Sequence, residues 1–294
     1  MEIKDCCKKQ IGKANAIALA ATLSLSIMTG GLVSHLLDLS ETQGMRERKT
    51  GLESCVDGVT KERKRALLVL QDNERWDDIV LMRQLLSERG YCVEALYPDD
   101  VDGETLVGAI REFAKNTDEK SKNIFYFSGH GTFVKTDNGS IVRGIQLNQG
   151  EREEERIMPA YALLEELANI KGYIGVVIDS CFSGQFSELA KDAEVRTYLG
   201  LKNFVILASC PFDKKGIKDD YEIEGKKMRL GSLTTGLVCA LMASRGKEFN
   251  LSTEQILCGN EDQRANPEKY SENTDEELDI SFELQRTGDC DFKL

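Results

Sequence analysis

The sequence predicts an α/β fold, with a mainly parallel sheet covered by helices on both faces. Short, continuously apolar runs, which are typical of strands buried on both faces of a sheet, alternate from residue 66 onward with segments whose apolar residues recur at helical spacing. The composition is typical of a globular protein. A chain of 294 residues that is 41% hydrophobic and 30% charged leaves room for one large domain and an appendage.

Five apolar runs predict the parallel strands, and four periodic segments predict helices. The strand candidates are residues 66–70, 91–96, 124–127, 174–178 and 204–208, and the helix candidates are residues 77–88, 106–114, 161–168 and 232–244. Near the end of the chain, Ile280, Phe282 and Leu284 alternate with polar residues. This period of two predicts a sixth strand at an edge of the sheet, antiparallel to its neighbour.

The chain before residue 65 predicts two segments outside the folded domain. Residues 14–37 contain no charged side chain and follow four lysines. The segment 1–39 therefore fits a membrane anchor, a cleaved signal peptide or a helix packed on protein. Residues 40–64 are rich in charged side chains and fit a linker. The folded domain, with an acidic C-terminal region, is expected over residues 65–294.

Charge and cysteine content exclude some classes of function. A net charge of −12 argues against a nucleic-acid partner, which needs a basic face. Residues 261–294 hold 11 Asp and Glu against 4 Lys and Arg, as a solvated acidic tail does. Nine cysteines without regular spacing fit a reducing compartment, so we expect a cytoplasmic protein, either free or tethered to a membrane through residues 14–37. With no C-x-x-C spacing and 2 histidines, a zinc site is not expected.

Two predicted strand ends carry reactive side chains. The strand at 124–127 leads to His130, which lies between two glycines, and the strand at 174–178 leads to Cys181. Ligands of parallel sheets gather at the carboxyl ends of the strands. Because a thiol nucleophile needs a base or a cationic neighbour, His130 and Cys181 are predicted to be a catalytic pair.

Four short sequence words, in this order along the chain, resemble the caspase and metacaspase superfamily of cysteine peptidases. They are Ser128-Gly129-His130-Gly131, Asp179-Ser180-Cys181-Phe182-Ser183-Gly184, Ala208-Ser209-Cys210-Pro211 and Gly231-Ser232-Leu233-Thr234. The second word is closer to the metacaspase and paracaspase branch than to true caspases, although a histidine is usual where Phe182 stands. The resemblance covers about residues 65–260 and implies a caspase-like three-layer sandwich with a six-stranded sheet.

This resemblance implies a cysteine endopeptidase that hydrolyses peptide bonds through a dyad of Cys181 and His130 and an acyl-enzyme. The main-chain N–H groups of Gly131 and Cys181 are the expected oxyanion hole. Proteins or peptides are the expected partners, and the metacaspase-like character favours a monomer. No cofactor is expected.

A calcium requirement is left open, since many metacaspases have one. The candidate ligands are glutamates, a residue type that binds calcium, but consecutive glutamates are more often a solvated face. They are Glu151, Glu153, Glu154, Glu155 and Glu188.

The resemblance also implies a pocket for the substrate residue before the cut, formed by Asp78, Ser128 and Asp179. Two carboxylates in a partly desolvated pocket favour an arginine or lysine side chain, so cleavage after Arg or Lys is predicted. Asp78 is equally explained as an acidic residue near a helix N-terminus. Arg75 departs from the family pattern, which usually has a cysteine there, and its charge opposes a basic substrate.

Two other functions are compatible with parts of the sequence. A catalytically idle caspase-like scaffold would bind partners without hydrolysis, but it would not need the intact Cys181 and His130. A flavodoxin-like or receiver-type domain would bind a phosphate after the first strand, where this chain has residues 71–74, Gln-Asp-Asn-Glu, instead of a glycine-rich loop.

Overall fold

The computed structural model describes residues 64–136, 139–150, 153–216, 218–223, 226–243 and 283–286. The strands of this part are, in chain order, β1 (Lys64–Leu70), β2 (Cys92–Leu96), β3 (Lys122–Ser128), β4 (Gly131–Lys135), β5 (Ile141–Gln146), β6 (Ile157–Pro159), β7 (Tyr173–Asp179), β8 (Phe204–Ala208), β9 (Lys218–Ile223), β10 (Lys226–Gly231) and β11 (Glu283–Arg286). The α-helices are α1 (Trp76–Glu88), α2 (Gly103–Lys115), α3 (Ala160–Leu167), α4 (Gly184–Lys191), α5 (Ala193–Leu199) and α6 (Ser232–Ala243).

A six-stranded sheet in the order β11-β8-β7-β3-β1-β2 forms the centre of the fold. Strands β2, β1, β3, β7 and β8 are parallel, and β11 pairs antiparallel with β8 at one edge. The predicted α/β class and its mainly parallel sheet are confirmed. The chain moves outward from β1 to β2 and then returns to the other side of β1, so the order of strands reverses beside β1, where open α/β sheets bind ligands.

Helices cover both faces of this sheet and bury two separate cores. Alternate residues of β1 point to opposite faces: Leu68 packs in one core with α1 and α6, and Leu67 packs in the other with α2, α3 and α4. Both leucines are fully buried. The continuous apolar runs in the sequence reflect this two-sided burial.

Four features have no counterpart in the sequence predictions: the small sheet β4-β5-β6, the hairpin β9-β10, and helices α4 and α5. Strands β4 and β5 lie over the protein surface, and Phe133 and Ile141 in them are each 50% exposed. Such half-exposed strands contain mixed polar and apolar residues, so no buried run marks them. Helices α4 and α5 have only 8 and 7 residues, too few for a clear period.

None of the described helices is long and apolar enough to cross a membrane. Residues 1–39, for which an anchor is one interpretation, and residues 40–63 of the predicted linker lie outside the described residues. Residues 280–282 of the predicted edge strand also lie outside them.

Candidate active site

The carboxyl ends of three adjacent strands form the candidate active site. Leu70 of β1 pairs with Ser128 of β3, which pairs in turn with Asp179 of β7. Two residues beyond this common level lie Asp72, His130 and Cys181. The strand register therefore places the loops that carry His130, Cys181 and Asp72 at the same end of three adjacent strands.

The main chains after β3 and β7 touch at Gly131 and Cys181, the two predicted oxyanion-hole residues. A Cβ atom on Gly131 would lie 1.7 Å from the carbonyl oxygen of Cys181, far inside van der Waals contact. Only glycine allows this approach without moving one of the two loops. The glycine after His130 is thus required by packing against the cysteine loop.

The His130 side chain faces a carboxylate. Its Nε2 atom lies 3.1 Å from Oδ2 of Asp72, and 46% of the side chain is exposed. The main-chain N–H of His130 donates to Oε1 of Gln71 over 2.9 Å. A carboxylate in this position fixes the orientation of an imidazole.

Cys181 is partly exposed, and its Sγ lies 3.9 Å from the carbonyl oxygen of Gly216. The next residue, Phe182, has a φ of 58°, in the left-handed region that non-glycine residues rarely adopt. Its ring meets Phe133 edge-on at 5.5 Å between centroids. This conformation costs of the order of 1 kcal/mol, and such strain is common beside reactive groups.

The loop that carries Cys181 is tied to the end of β8 by a serine network. Oγ of Ser209 donates to the carbonyl oxygen of Ser180 over 2.8 Å, and the N–H of Ser209 donates to Oγ of Ser183 over 2.9 Å. Ser209 belongs to the motif at residues 208–211. Its hydrogen bonds hold the motif at residues 179–184, which contains Cys181, in place.

Cys210, Cys181 and Cys92 differ in burial and in whether the thiol is free. Burial raises the pKa of Cys210 to about 11, so this thiol stays protonated and unreactive near neutral pH. Cys181 is partly exposed and free. Cys92, at the start of β2, is disulfide-bonded.

The predicted substrate-binding residues Asp78, Ser128 and Asp179 meet on the α1 and α6 side of the sheet, and this group is called the acidic cluster below. Oγ of Ser128 donates to Oδ2 of Asp78. All three side chains are closed to solvent, with exposures of 0%, 0% and 1%. The three residues converge and form a network that is buried in the structure.

The Arg75 guanidinium lies inside the acidic cluster and supplies its positive charge. Its Nη1 donates to the main-chain oxygen of Asp179 over 2.8 Å and lies 3.8 Å from Oδ1 of the same residue. Burial lowers the pKa of Arg75, but the nearby Asp179 and Asp78 carboxylates outweigh this effect, so its pKa is raised and the guanidinium stays charged.

Helix α6 and the end of β10 complete the hydrogen bonding of the acidic cluster. Oδ2 of Asp179 accepts from the main-chain N–H of Thr234 at 2.8 Å and from its hydroxyl at 2.6 Å. Oδ1 of Asp78 accepts from the N–H of Gly231 at 3.0 Å. A Cβ on Gly231 would lie 2.2 Å from the Asp179 carboxylate, so these contacts require the glycine that begins the motif at residues 231–234.

A cleft opens on the exposed side of His130. It has a volume of about 660 Å³, and Asp72, Asp99, His130 and Asn148 are among the residues that line it. The cleft shows that solvent and small molecules can reach the imidazole.

Asp72 and Thr234 are the site residues that sequence reasoning does not identify. Asp72 follows β1 at its carboxyl end, the position where ligands are expected. In the sequence, residues 71–74 serve only as evidence against a glycine-rich phosphate loop. Thr234 is part of the fourth word, with no role assigned. A search of every strand end for carboxylates would have found Asp72.

Within the described ranges, no group of three or more His, Cys, Asp or Glu side chains is placed to hold an ion. Among the predicted calcium ligands, Glu188 accepts instead from Lys191 at 2.6 Å, and Glu151 lies outside the described residues.

A family model of the caspase domain, peptidase family C14, matches residues 73–275, which is more than half of the chain. The chain belongs to the caspase-domain family. Membership agrees with the cysteine-peptidase resemblance of the sequence, and it supports a peptidase-like scaffold for the site. The metacaspase branch remains a prediction.

Two solved structures resemble this caspase domain at low identity. Protein GSU0716 from Geobacter sulfurreducens is 17% identical, with a TM-score of 0.49, and the match covers 77% of this chain and 95% of that one. Raptor from Chaetomium thermophilum is 11% identical, with a TM-score of 0.34, and the match covers 57% of this chain and 17% of that one. No curated protein matches the chain.

The acidic cluster predicts a pH-dependent stability. Burial, followed by the Asp179 charge, raises the pKa of Asp78 from 3.8 to about 7. The folded chain therefore holds a proton that the unfolded chain releases, and the resulting stability is complete below about pH 4 and is lost as the pH rises through about 7. Asp78→Asn should remove this dependence.

The measurement is urea unfolding of both proteins between pH 4 and 8, followed by fluorescence of Trp76, the chain's single tryptophan. The wild type should lose a few kcal/mol relative to Asp78→Asn across this range. Parallel pH curves for the two proteins would contradict a raised pKa of Asp78.

Proposed function

We propose that this caspase domain is a cysteine endopeptidase with Cys181 as nucleophile and His130 as proton donor and acceptor. The observation that carries the proposal is the main-chain contact between Gly131 and Cys181, which holds the residues after His130 against the cysteine loop. Family membership supports the same chemistry.

The proposed reaction has two steps. Sγ of Cys181 attacks the carbonyl carbon of a peptide bond while its proton passes to His130, which returns a proton to the leaving amine as the C–N bond breaks. Water then attacks the thioester carbonyl carbon while its proton passes to His130, and the C–S bond breaks as His130 returns the proton to Sγ and the carboxylic acid product leaves. The N–H groups of Gly131 and Cys181 are proposed to stabilise the oxyanion.

Asp72 is proposed as a positioning residue for His130. Its Oδ2 contacts Nε2 of His130, while its Oδ1 accepts from the N–H of Glu74 at 2.9 Å and caps the following turn. The carboxylate therefore connects the imidazole to the end of β1, which limits rotation of the ring.

The structure gives less support for a preference for Arg or Lys before the cut than for hydrolysis itself. The acidic cluster has the residues that would bind such a side chain, but they are buried and contact Arg75. The geometry therefore supports hydrolysis more strongly than it supports cleavage after Arg or Lys.

Cys181→Ala is expected to lower peptidase activity at least about a thousandfold, because it removes the nucleophile. The measurement is kcat/KM on a set of fluorogenic peptides that differ in the residue before the cut, with and without calcium. Cys210→Ala is the matched control, since that buried thiol has no role in the chemistry. Undiminished hydrolysis by Cys181→Ala would refute the assignment.

Asp72→Asn is expected to lower kcat about tenfold with little change in KM, since the orienting charge is lost while the side chain keeps its shape. Asparagine also caps helical turns well, so the melting temperature should not change.

The matched control for Asp72→Asn is Asp102→Asn, which alters another capping aspartate, bonded to the N–H of Thr105 at 2.8 Å. Its kcat should equal that of the wild type. Equal kcat values for Asp72→Asn and the wild type would show that the carboxylate does not act through His130.

A further inference from the structure

Arg75 enters the acidic cluster from the short turn before α1. It is the last residue of the 3-10 helix Asn73–Arg75, and only 3% of its surface is exposed. Arginine is almost never buried to this extent unless it is paired. Its burial therefore indicates that its charge is needed inside the protein.

The Arg75 guanidinium makes the contacts that a basic substrate side chain would need. Besides the bond to the Asp179 main chain, its Nη1 lies 3.4 Å from Oγ of Ser128 and close to the Asp179 carboxylate. These are two of the three residues that the sequence assigns to the substrate pocket.

The remaining carboxylate oxygens of the acidic cluster accept hydrogen bonds from the protein itself. The N–H groups of Gly231 and Thr234 and the Thr234 hydroxyl occupy the other carboxylate oxygens. A second cation would have to lie within a few ångströms of the Arg75 guanidinium in a site without water, where like charges repel strongly.

The fit of Arg75 is nevertheless incomplete. Its Nε is buried without a hydrogen-bond partner among the described residues. An unpartnered buried N–H is costly, so the acidic cluster is not fully adapted to this internal ligand.

We propose that Arg75 determines substrate specificity by occupying the acidic cluster in place of a basic substrate side chain. The chain as it stands does not favour Arg or Lys before the cut, and loss of the guanidinium opens the cluster to them. The specificity part of this proposal rests on the peptidase function proposed above, whereas the occupation of the cluster does not.

Arg75→Cys is the most informative variant, because the metacaspase resemblance places a cysteine there. Two peptides are compared that differ only in having arginine or its uncharged analogue citrulline before the cut. The wild type should give a kcat/KM ratio near one, and Arg75→Cys should raise the ratio by about tenfold or more.

Two controls separate charge from other effects. Arg75→Lys keeps a cation in the acidic cluster and should keep the wild-type ratio. Arg83→Ala removes an arginine of α1 whose Nη1 donates to the Tyr97 hydroxyl at 3.1 Å, and it should also keep that ratio.

A wild-type preference for arginine over citrulline of about tenfold would overturn the proposal. An unchanged ratio in an active Arg75→Cys protein would do the same. If Arg75→Cys does not fold, the wild-type ratio and that of Arg75→Lys decide the matter.

Ligand binding tests occupation of the acidic cluster without any hydrolysis. Ethylguanidinium should raise the melting temperature of Arg75→Ala by about 2 to 4 °C at about ten times its Kd, while the uncharged ethylurea should not. The wild type should respond equally to both compounds.

Equal responses of Arg75→Ala to ethylguanidinium and ethylurea would overturn the occupation of the acidic cluster by Arg75. If ethylguanidinium selectively stabilises Arg75→Ala but no variant hydrolyses any peptide, occupation by Arg75 stands and the peptidase function fails.

Discussion

The in-register pairing of β1, β3 and β7 is the constraint on which the site depends. Leu70, Ser128 and Asp179 lie at one level of the sheet, so the residues two positions later emerge together. A shift of one residue in any strand would turn its side chains to the opposite face. Both the proposed catalytic pair and the acidic cluster would then be lost.

Side-chain alternation along the strands separates the reactive residues from the buried charges. Ser128 and Asp179 have the same orientation as Tyr126 and Val177, which pack in the core shared with α1 and α6. They therefore meet Asp78 from α1 and the first turn of α6. His130 and Cys181 lie beyond the sheet, where the chain has left the strands and water has access.

The acidic cluster connects the proposed substrate specificity with the stability of the fold. Its charges lie next to the catalytic loops, and removing one partner of a buried ion pair is costly because the other charge remains uncompensated. Arg75 stabilises the two carboxylates whether or not a substrate is bound. In this domain, the residues of the acidic cluster therefore contribute to the stability of the loop that carries Cys181.

The parts of the fold that the sequence predicts are those under the strongest burial constraint. The five parallel strands are buried on both faces and leave apolar runs, and the alternation of apolar and polar residues over 280–285 indicates a strand that overlaps the edge strand β11. Strands β4 and β5 lie on the surface, so their residues are not restricted in this way. The positions of His130 and Cys181 follow from strand ends and sequence words.

The contacts of Asp72 and Arg75 depend on side-chain geometry that spacing does not encode. The family resemblance implies that Arg75 stands where a cysteine is usual and that its charge opposes a basic substrate. It does not show that the guanidinium lies inside the acidic cluster, because that position depends on the turn before α1. The same turn places Asp72 against His130.

Covalent labelling by an electrophilic peptide tests the central claim most directly, because it reports on the nucleophile without requiring turnover. Peptides with an uncharged residue before the electrophile should modify Cys181 of the wild type, as mass spectrometry of the digested protein would show. His130→Ala should slow that modification markedly. Labelling of other cysteines with Cys181 left unmodified would contradict the assignment of Cys181 and His130 as the catalytic pair.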